Sequence, residues 1–320
     1  TPPPIVIDRF HFKEDKRGYL TRGRKIYLLD GRSGAGEALD LTGFEPSSPA
    51  FSPDGRTLAY VARRGDEPDR TDAWDVHLLD IETPTKARVI APSPMNDCGP
   101  GLMARPRWSP DSSSILCVSA HSDRDNLYAQ RMIKHIDVES GAASLLTEGL
   151  DRQTGHPRFS IDGKRVYFTY VDDMTVRLAS VPVGGGETSS ELKGRTTVAG
   201  YDLGTDGSIV ARIGRVDRPW ELYTIEAGKA VALTFHNREL LNERPWRDAE
   251  TISFNAPDGT EVHGLLIRPA GAGKGSRYPT VLWLHGGPTS QFSYAPRLEP
   301  QLFAAHGYAV LLLNPRGSTG

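Results

Sequence analysis

Tyr278-Pro-Thr-Val-Leu-Trp-Leu-His-Gly-Gly-Pro288 decides how the rest of the chain is read. Thr280 to Leu284 form an apolar run short enough for a buried strand, and a His-Gly-Gly-Pro turn follows at once. A second run, Tyr308-Ala-Val-Leu-Leu-Leu313, leads into Asn314-Pro-Arg-Gly-Ser318. Buried strands that end in glycine-rich turns belong to parallel sheets, whose two faces are covered and whose ligands sit at the strands' C-terminal ends. Pro296 to His306 reads as the crossover helix, with Gly307 placed to cap it.

Upstream, from the start to about Asn242, short runs of Val, Ile, Leu, Tyr and Phe alternate with Gly, Pro, Asp and Ser, which predicts an all-β region. A marker recurs there: an aromatic residue, a Ser-Pro-Asp-Gly-like turn, then a β-rich run. Its copies centre on Asp54, Asp111, Asp162 and a degraded Asp206, spaced 57, 51 and 44 residues apart. Periods of about 40 to 50 residues fit four-stranded propeller blades. Asp-Gly makes the hairpin turn because glycine accepts positive φ and the aspartate bonds its own backbone two residues on. The blades' second half also recurs, as an apolar run ending in an acidic residue, such as Ile26-Tyr-Leu-Leu-Asp30 or Ile136-Asp137, and is altered in two blades, at Val76–Asp80 and Val176–Ser180. The count is half a blade before Ser48 and four blades to about Thr234. After Asn242 a hairpin is predicted, with strands near 251–255 and 262–268 around Asp258-Gly259. The expected organisation is a β-propeller over 1–242, then a stretch over 243–320 whose hairpin and HGGP strand resemble the N-terminal part of an α/β-hydrolase domain.

Composition bounds the function. The chain has 320 residues, 38% hydrophobic and 24% charged, with a formal net charge of −2. That field does not attract nucleic acid. The apolar runs are too short to span a bilayer as helices, so no membrane partner is expected. No charged segment precedes an apolar core at Thr1-Pro-Pro-Pro4, and the expected compartment is the cytoplasm. Cys98, in a loop-like stretch, and Cys117, inside an apolar run, read as a loop thiol and a core thiol, with a disulfide as the alternative. Neither a CxxC nor a histidine pair at ligand spacing is present, so no metal and no cofactor is predicted. The histidines read mostly as surface residues, and the 66–72 loop as solvated.

His285-Gly-Gly-Pro288 followed by Asn314-Pro-Arg-Gly-Ser-Thr-Gly320 resembles the start of the catalytic domain in the prolyl oligopeptidase family of serine peptidases, nearest its acylaminoacyl-peptidase branch. The resemblance implies an oxyanion loop in which Gly287 donates its backbone N–H, with His285, Gly286 and Pro288 shaping the turn. It implies hydrolysis of short peptides through an acyl-enzyme, with the propeller restricting access. Nothing in the sequence speaks against a homo-oligomer.

The family's nucleophile sits in a G-x-S-x-G elbow, followed by an acid and a histidine. No G-x-S-x-G occurs here. The nearest imitation, Gly31-Arg-Ser33-Gly-Ala35, lies far upstream, and Ser318 has no strand-to-helix elbow after it. The triad is therefore expected beyond Gly320, and blades are expected before Thr1. A smaller propeller that starts here is the alternative. His285 is expected to order its loop and Arg316 to tether its turn. Two other functions compete: a non-catalytic propeller binding module, disfavoured by the HGGP strand, and an esterase or lipase, disfavoured by the upstream β-region.

Overall fold

The four marker turns close in closely related ways. In the first, Ser52 N–H donates to Thr57 O at 2.8 Å and Gly55 N–H to Ser52 O at 2.9 Å. The Asp54 carboxylate accepts Ser52 Oγ at 2.5 Å and Arg56 N–H at 3.1 Å. Ser109–Asp111 and Ser160–Asp162 repeat the serine bond at 2.6 Å each. Such bonds favour the ionised carboxylate. They pull Asp54 and Asp162 below the usual range and Asp111 to about 2. The acidic residue that ends the later runs caps a turn of its own: Asp30 accepts Ser33 N–H at 2.6 Å, and Asp137 accepts Ser140 N–H at 2.8 Å. Ser33 thus belongs to a turn and not to an elbow.

This computed structural model describes all residues except 1–3, 8, 15–17, 21, 72, 85–86, 93–95, 100–104, 121–127, 274 and 288. The described chain is mostly β, with two short α-helices, Arg238–Glu243 and Leu298–Ala305. Two compact units form: 1–167 with 181–187, and 168–180 with 188–320.

In the first unit, Phe44–Phe51, Thr57–Arg63, Trp74–Asp80 and Arg88–Ile90 form a four-stranded antiparallel meander. Arg107–Trp108, Ser114–Ala120, Arg131–Asp137 and Ala143–Leu145 repeat that order, and Asn96–Asp97 adds a fifth strand beside Ser114–Ala120. Trp74, Val76, Ile115, Cys117 and Ile136 share one buried cluster. Each such side chain contributes on the order of 2 kcal/mol by leaving water.

Expectations for the cysteines, the histidines and the 66–72 loop are revised here. Cys98 and Cys117 form a disulfide. The short strand explains it: Cys98 N–H donates to Val118 O at 3.0 Å, which brings the two Cα atoms to 4.9 Å. The histidines are not all superficial either. His77 is buried, with its ring stacked on Tyr60 at 4.9 Å. In the 66–72 loop, Asp66, Glu67 and Arg70 are exposed as expected, whereas Asp69 accepts His11 N–H at 2.9 Å and lies 3.4 Å from Arg9. His121 lies outside the described residues.

In the second unit, Thr197–Leu203, Ile209–Arg215, Arg218–Glu226 and Lys229–Ala232 make another antiparallel meander. A single parallel bridge, Val176 to Thr197, connects it to Thr175–Pro182, so the third and fourth repeats share a sheet. After it comes a mixed sheet ordered Ala249–Asn255, Glu261–Ile267, Ala309–Asn314, Thr280–Leu284. The first two strands are the predicted hairpin, and the last two are parallel, with Val281 opposite Val310. Leu298–Ala305 is the predicted crossover helix. Gly307 ends it at φ 87°, with Tyr308 N–H reaching back to Phe303 O at 3.1 Å. Val310 and Leu312 are buried in the central strand.

The Thr280–Leu284 strand departs from expectation. It is the sheet's edge strand, and Leu282 and Leu284 are 56% and 59% exposed. Among the described residues its outer edge has no partner strand, so a strand that reads as covered on both faces is covered on one.

Candidate active site

The HGGP turn follows the Thr280–Leu284 strand at its C-terminal end. Gly287 sits at φ 149°, a backbone conformation that side-chain-bearing residues rarely adopt. A Cβ there would lie 2.9 Å from Thr289 N and 3.2 Å from Ser290 N. Pro288 lies outside the described residues.

His285 ties this turn to the second one. Ser318 Oγ is 2.6 Å from Pro315 O and 2.8 Å from His285 Nε2. The Pro315 carbonyl only accepts, so Ser318 donates to it, while His285 Nδ1 faces a second carbonyl, Gly286 O, at 3.0 Å, and the direction of the Ser318–His285 bond follows the imidazole tautomer. The imidazole meets the Phe292 ring edge-on at 5.5 Å. Ser318 Oγ thus sits in its turn within hydrogen-bond distance of both Pro315 O and the His285 imidazole.

The loop after Gly287 is fastened by the parallel strand. Asn314 accepts Phe292 N–H at 2.7 Å and donates to Phe292 O at 2.9 Å. Thr319 N–H donates to Ser290 O at 2.9 Å. Arg316 pairs with Asp258 at 2.6 Å, in the tip of the 249–267 hairpin. Asp258 is held below the usual carboxylate range, first by its bond from Thr260 N–H. Gln301, on the crossover helix, donates to Val216 O and Arg247 O at 3.0 and 2.9 Å and accepts Arg247 N–H at 2.7 Å. The sequence pointed at Asn314 only as part of a motif, and it offered no signal for Gln301.

A cavity of about 300 Å³ opens beside these turns, lined in part by Asp173, Glu261, His263, Gln291, Asn314 and Ser318. Among the described residues, no cluster of three or more His, Cys, Asp or Glu side chains could hold a metal, and no helix is long and apolar enough to cross a membrane. The turns offer a constrained main chain at a strand end, closed from behind by His285 and Phe292. Such a wall can present N–H groups to a developing oxyanion.

In sequence and fold the chain resembles peptidases of the prolyl oligopeptidase family. No family model matches it. It is 28% identical, over 99% of its length, to the uncharacterized peptidase YuxL of Bacillus subtilis, covering 50% of that protein. It is 24% identical to dipeptidyl-peptidase 5 of Porphyromonas gingivalis, over 95% of this chain and 43% of that one. Among solved structures it matches Pyrococcus horikoshii acylaminoacyl peptidase with a TM-score of 0.79 at 21% identity, over 100% of this chain and 48% of that one. A Mycobacterium tuberculosis puromycin-hydrolyzing peptidase matches with a TM-score of 0.66 at 21% identity, over 90% and 45% of the two chains. The chain spans about half the length of the curated relatives it matches.

Proposed function

We propose that this chain is part of a serine peptidase that hydrolyses short peptides through an acyl-enzyme. The 1–242 stretch is its propeller, or a piece of one, and 243–320 opens its α/β-hydrolase domain. The observation that carries the reading is Gly287: a glycine-only φ at the C-terminal end of a parallel strand, in a turn held from behind by His285 and Ser318. In the proposed reaction a serine attacks the peptide carbonyl, and the tetrahedral oxyanion accepts the Gly287 N–H and a second N–H near the nucleophile. Water then releases the acyl group. The propeller restricts entry and so selects peptides over folded proteins.

The serine, acid and histidine of the triad are assigned to residues outside this stretch, since no G-x-S-x-G occurs within it. The relatives' printed names favour peptides, with dipeptide release as one form of the activity. The Cys98–Cys117 disulfide favours an oxidising compartment over the cytoplasm.

An assay of two proteins tests this reading. Residues 1–320 alone are expected to turn over no acyl-peptide or dipeptidyl substrate above background, and the parent polypeptide is expected to do so. Turnover by pure 1–320 would overturn the assignment of the triad.

A further inference from the structure

The strands Arg165–Asp172 and Thr175–Pro182 are joined by two residues, Asp173 and Met174, both at positive φ, 39° and 63°. Two consecutive left-handed residues make the tight turn that hairpins favour, but Asn and Gly are its usual occupants. A methionine there is costly, and a solvent turn has no need of one. The packing supplies the reason. Met174 is 1% exposed and lies in the apolar cluster of the mixed sheet with Leu265, Phe292, Tyr294 and Leu312. Its carbonyl accepts Tyr294 N–H at 2.8 Å. The tip of the hairpin is therefore plugged under the loop that follows Gly287.

Asp173 makes the second contact. Its carboxylate is 2.8 Å from His263 Nδ1, and His263 Nε2 is 3.5 Å from Glu261. His263 lines the same cavity as Asn314 and Ser318. The other charged groups nearby are already paired: Arg316 with Asp258 at 2.6 Å, and Asp172 with Arg177 at 3.0 Å.

We propose that the Asp173–Met174 turn is a clasp that positions the 289–294 segment behind Gly287, and that His263 closes it onto the sheet. The links are continuous. Met174 holds Tyr294, Asn314 holds Phe292, Phe292 packs on His285, and His285 bonds Ser318. Asp173, Met174 and His263 are positioning residues. Their functional meaning rests on the oxyanion reading of Gly287, whereas the positional claim is separable from it.

His263 makes the clasp sensitive to pH. The bond to Asp173 is the largest influence and raises its pKa, burial opposes this, and Glu261 adds to the rise. A histidine whose pKa is raised in the folded state stabilises fully below its unfolded pKa, and the stabilisation is lost as pH climbs through the folded value. The two side chains are 39% and 59% exposed, so solvent screens the pair and the effect on local opening is about threefold.

Hydrogen exchange by NMR on the 320-residue chain tests this, read at the amides of Phe292, Tyr294 and Thr319 as protection factors. These remove the intrinsic pH dependence of exchange. From roughly pH 5.5 to 8.5, on either side of an ordinary histidine pKa, protection at Tyr294 is expected to fall about threefold in the natural protein. His263→Gln and Asp173→Asn are expected to give low, flat profiles, and His263→Arg, charged at every pH used, a high, flat one. Asp173→Glu should restore part of the pH dependence. Amides of the Ile209–Arg215 strand, in the same unit as the clasp, report the stability of that unit. An unchanged pH profile in His263→Gln, or a loss in Asp173→Asn shared equally by the reference strand, would overturn the clasp. If these results hold but substitution of Gly287 leaves the parent's activity intact, the oxyanion reading fails and the clasp stands.

Discussion

Gly287→Ala in the proposed parent peptidase is expected to lower kcat by about a hundredfold, with KM changed by no more than about threefold. Alanine keeps a backbone N–H, so the effect comes from aim. The new Cβ would lie 2.9 Å from Thr289 N and 3.2 Å from Ser290 N, at a φ of 149°. Holding an L-residue there costs about 1–3 kcal/mol, which the turn relieves by moving. A donor that acts only in the transition state lowers kcat and kcat/KM together when it is displaced. Gly286→Ala is the control, because a Cβ there meets nothing within 4 Å. Steady-state kinetics on one peptide substrate separates the outcomes. A loss confined to KM, or equal losses in the two variants, would assign the loop to substrate binding and not to oxyanion stabilisation.

Acid is expected to destabilise the first unit chiefly through His77. The residue is 5% exposed, and burial pushes its pKa down to about 4. The unfolded chain binds a proton near pH 6.5 that the folded chain refuses until about pH 4. Stability therefore falls as pH drops through that window and levels off below it. The whole drop is about 3 kcal/mol for this one group. His135 and His156 shift in the same direction, also chiefly through burial, so the natural protein's pH profile alone does not isolate His77. His77→Phe does, since it keeps an aromatic ring against Tyr60 and does not titrate. Urea unfolding at about pH 7 and pH 4.5 should show a smaller acid loss in the variant by roughly 2–3 kcal/mol. An equal loss in both proteins would contradict the assignment.

What was legible in the sequence was local. The turns at Asp54, Asp111 and Asp162 need only a serine, an aspartate and a residue that accepts left-handed φ, all within a few positions. The parallel pair around the HGGP turn was legible for the same reason, since two apolar runs and a helix between them define it. What depended on distant partners was not legible. Cys98 meets Cys117 only because a two-residue strand adds to Ser114–Ala120, which no spacing rule predicts. His77 is buried because Thr42 and Tyr60 close over it. Leu282 and Leu284 read as core because their strand is apolar throughout, yet exposure is decided by which neighbours the sheet has. The Asp173–His263 contact joins residues 90 positions apart, and each alone reads as an ordinary surface charge.

Fluorophosphonate labelling of the parent polypeptide, followed by peptide mapping, tests the central claim most directly. The account predicts one labelled serine in a G-x-S-x-G segment outside residues 1–320, with peptidase activity lost in proportion to labelling. Labelling at Ser33 or Ser318, or peptide hydrolysis that survives complete labelling, would contradict it.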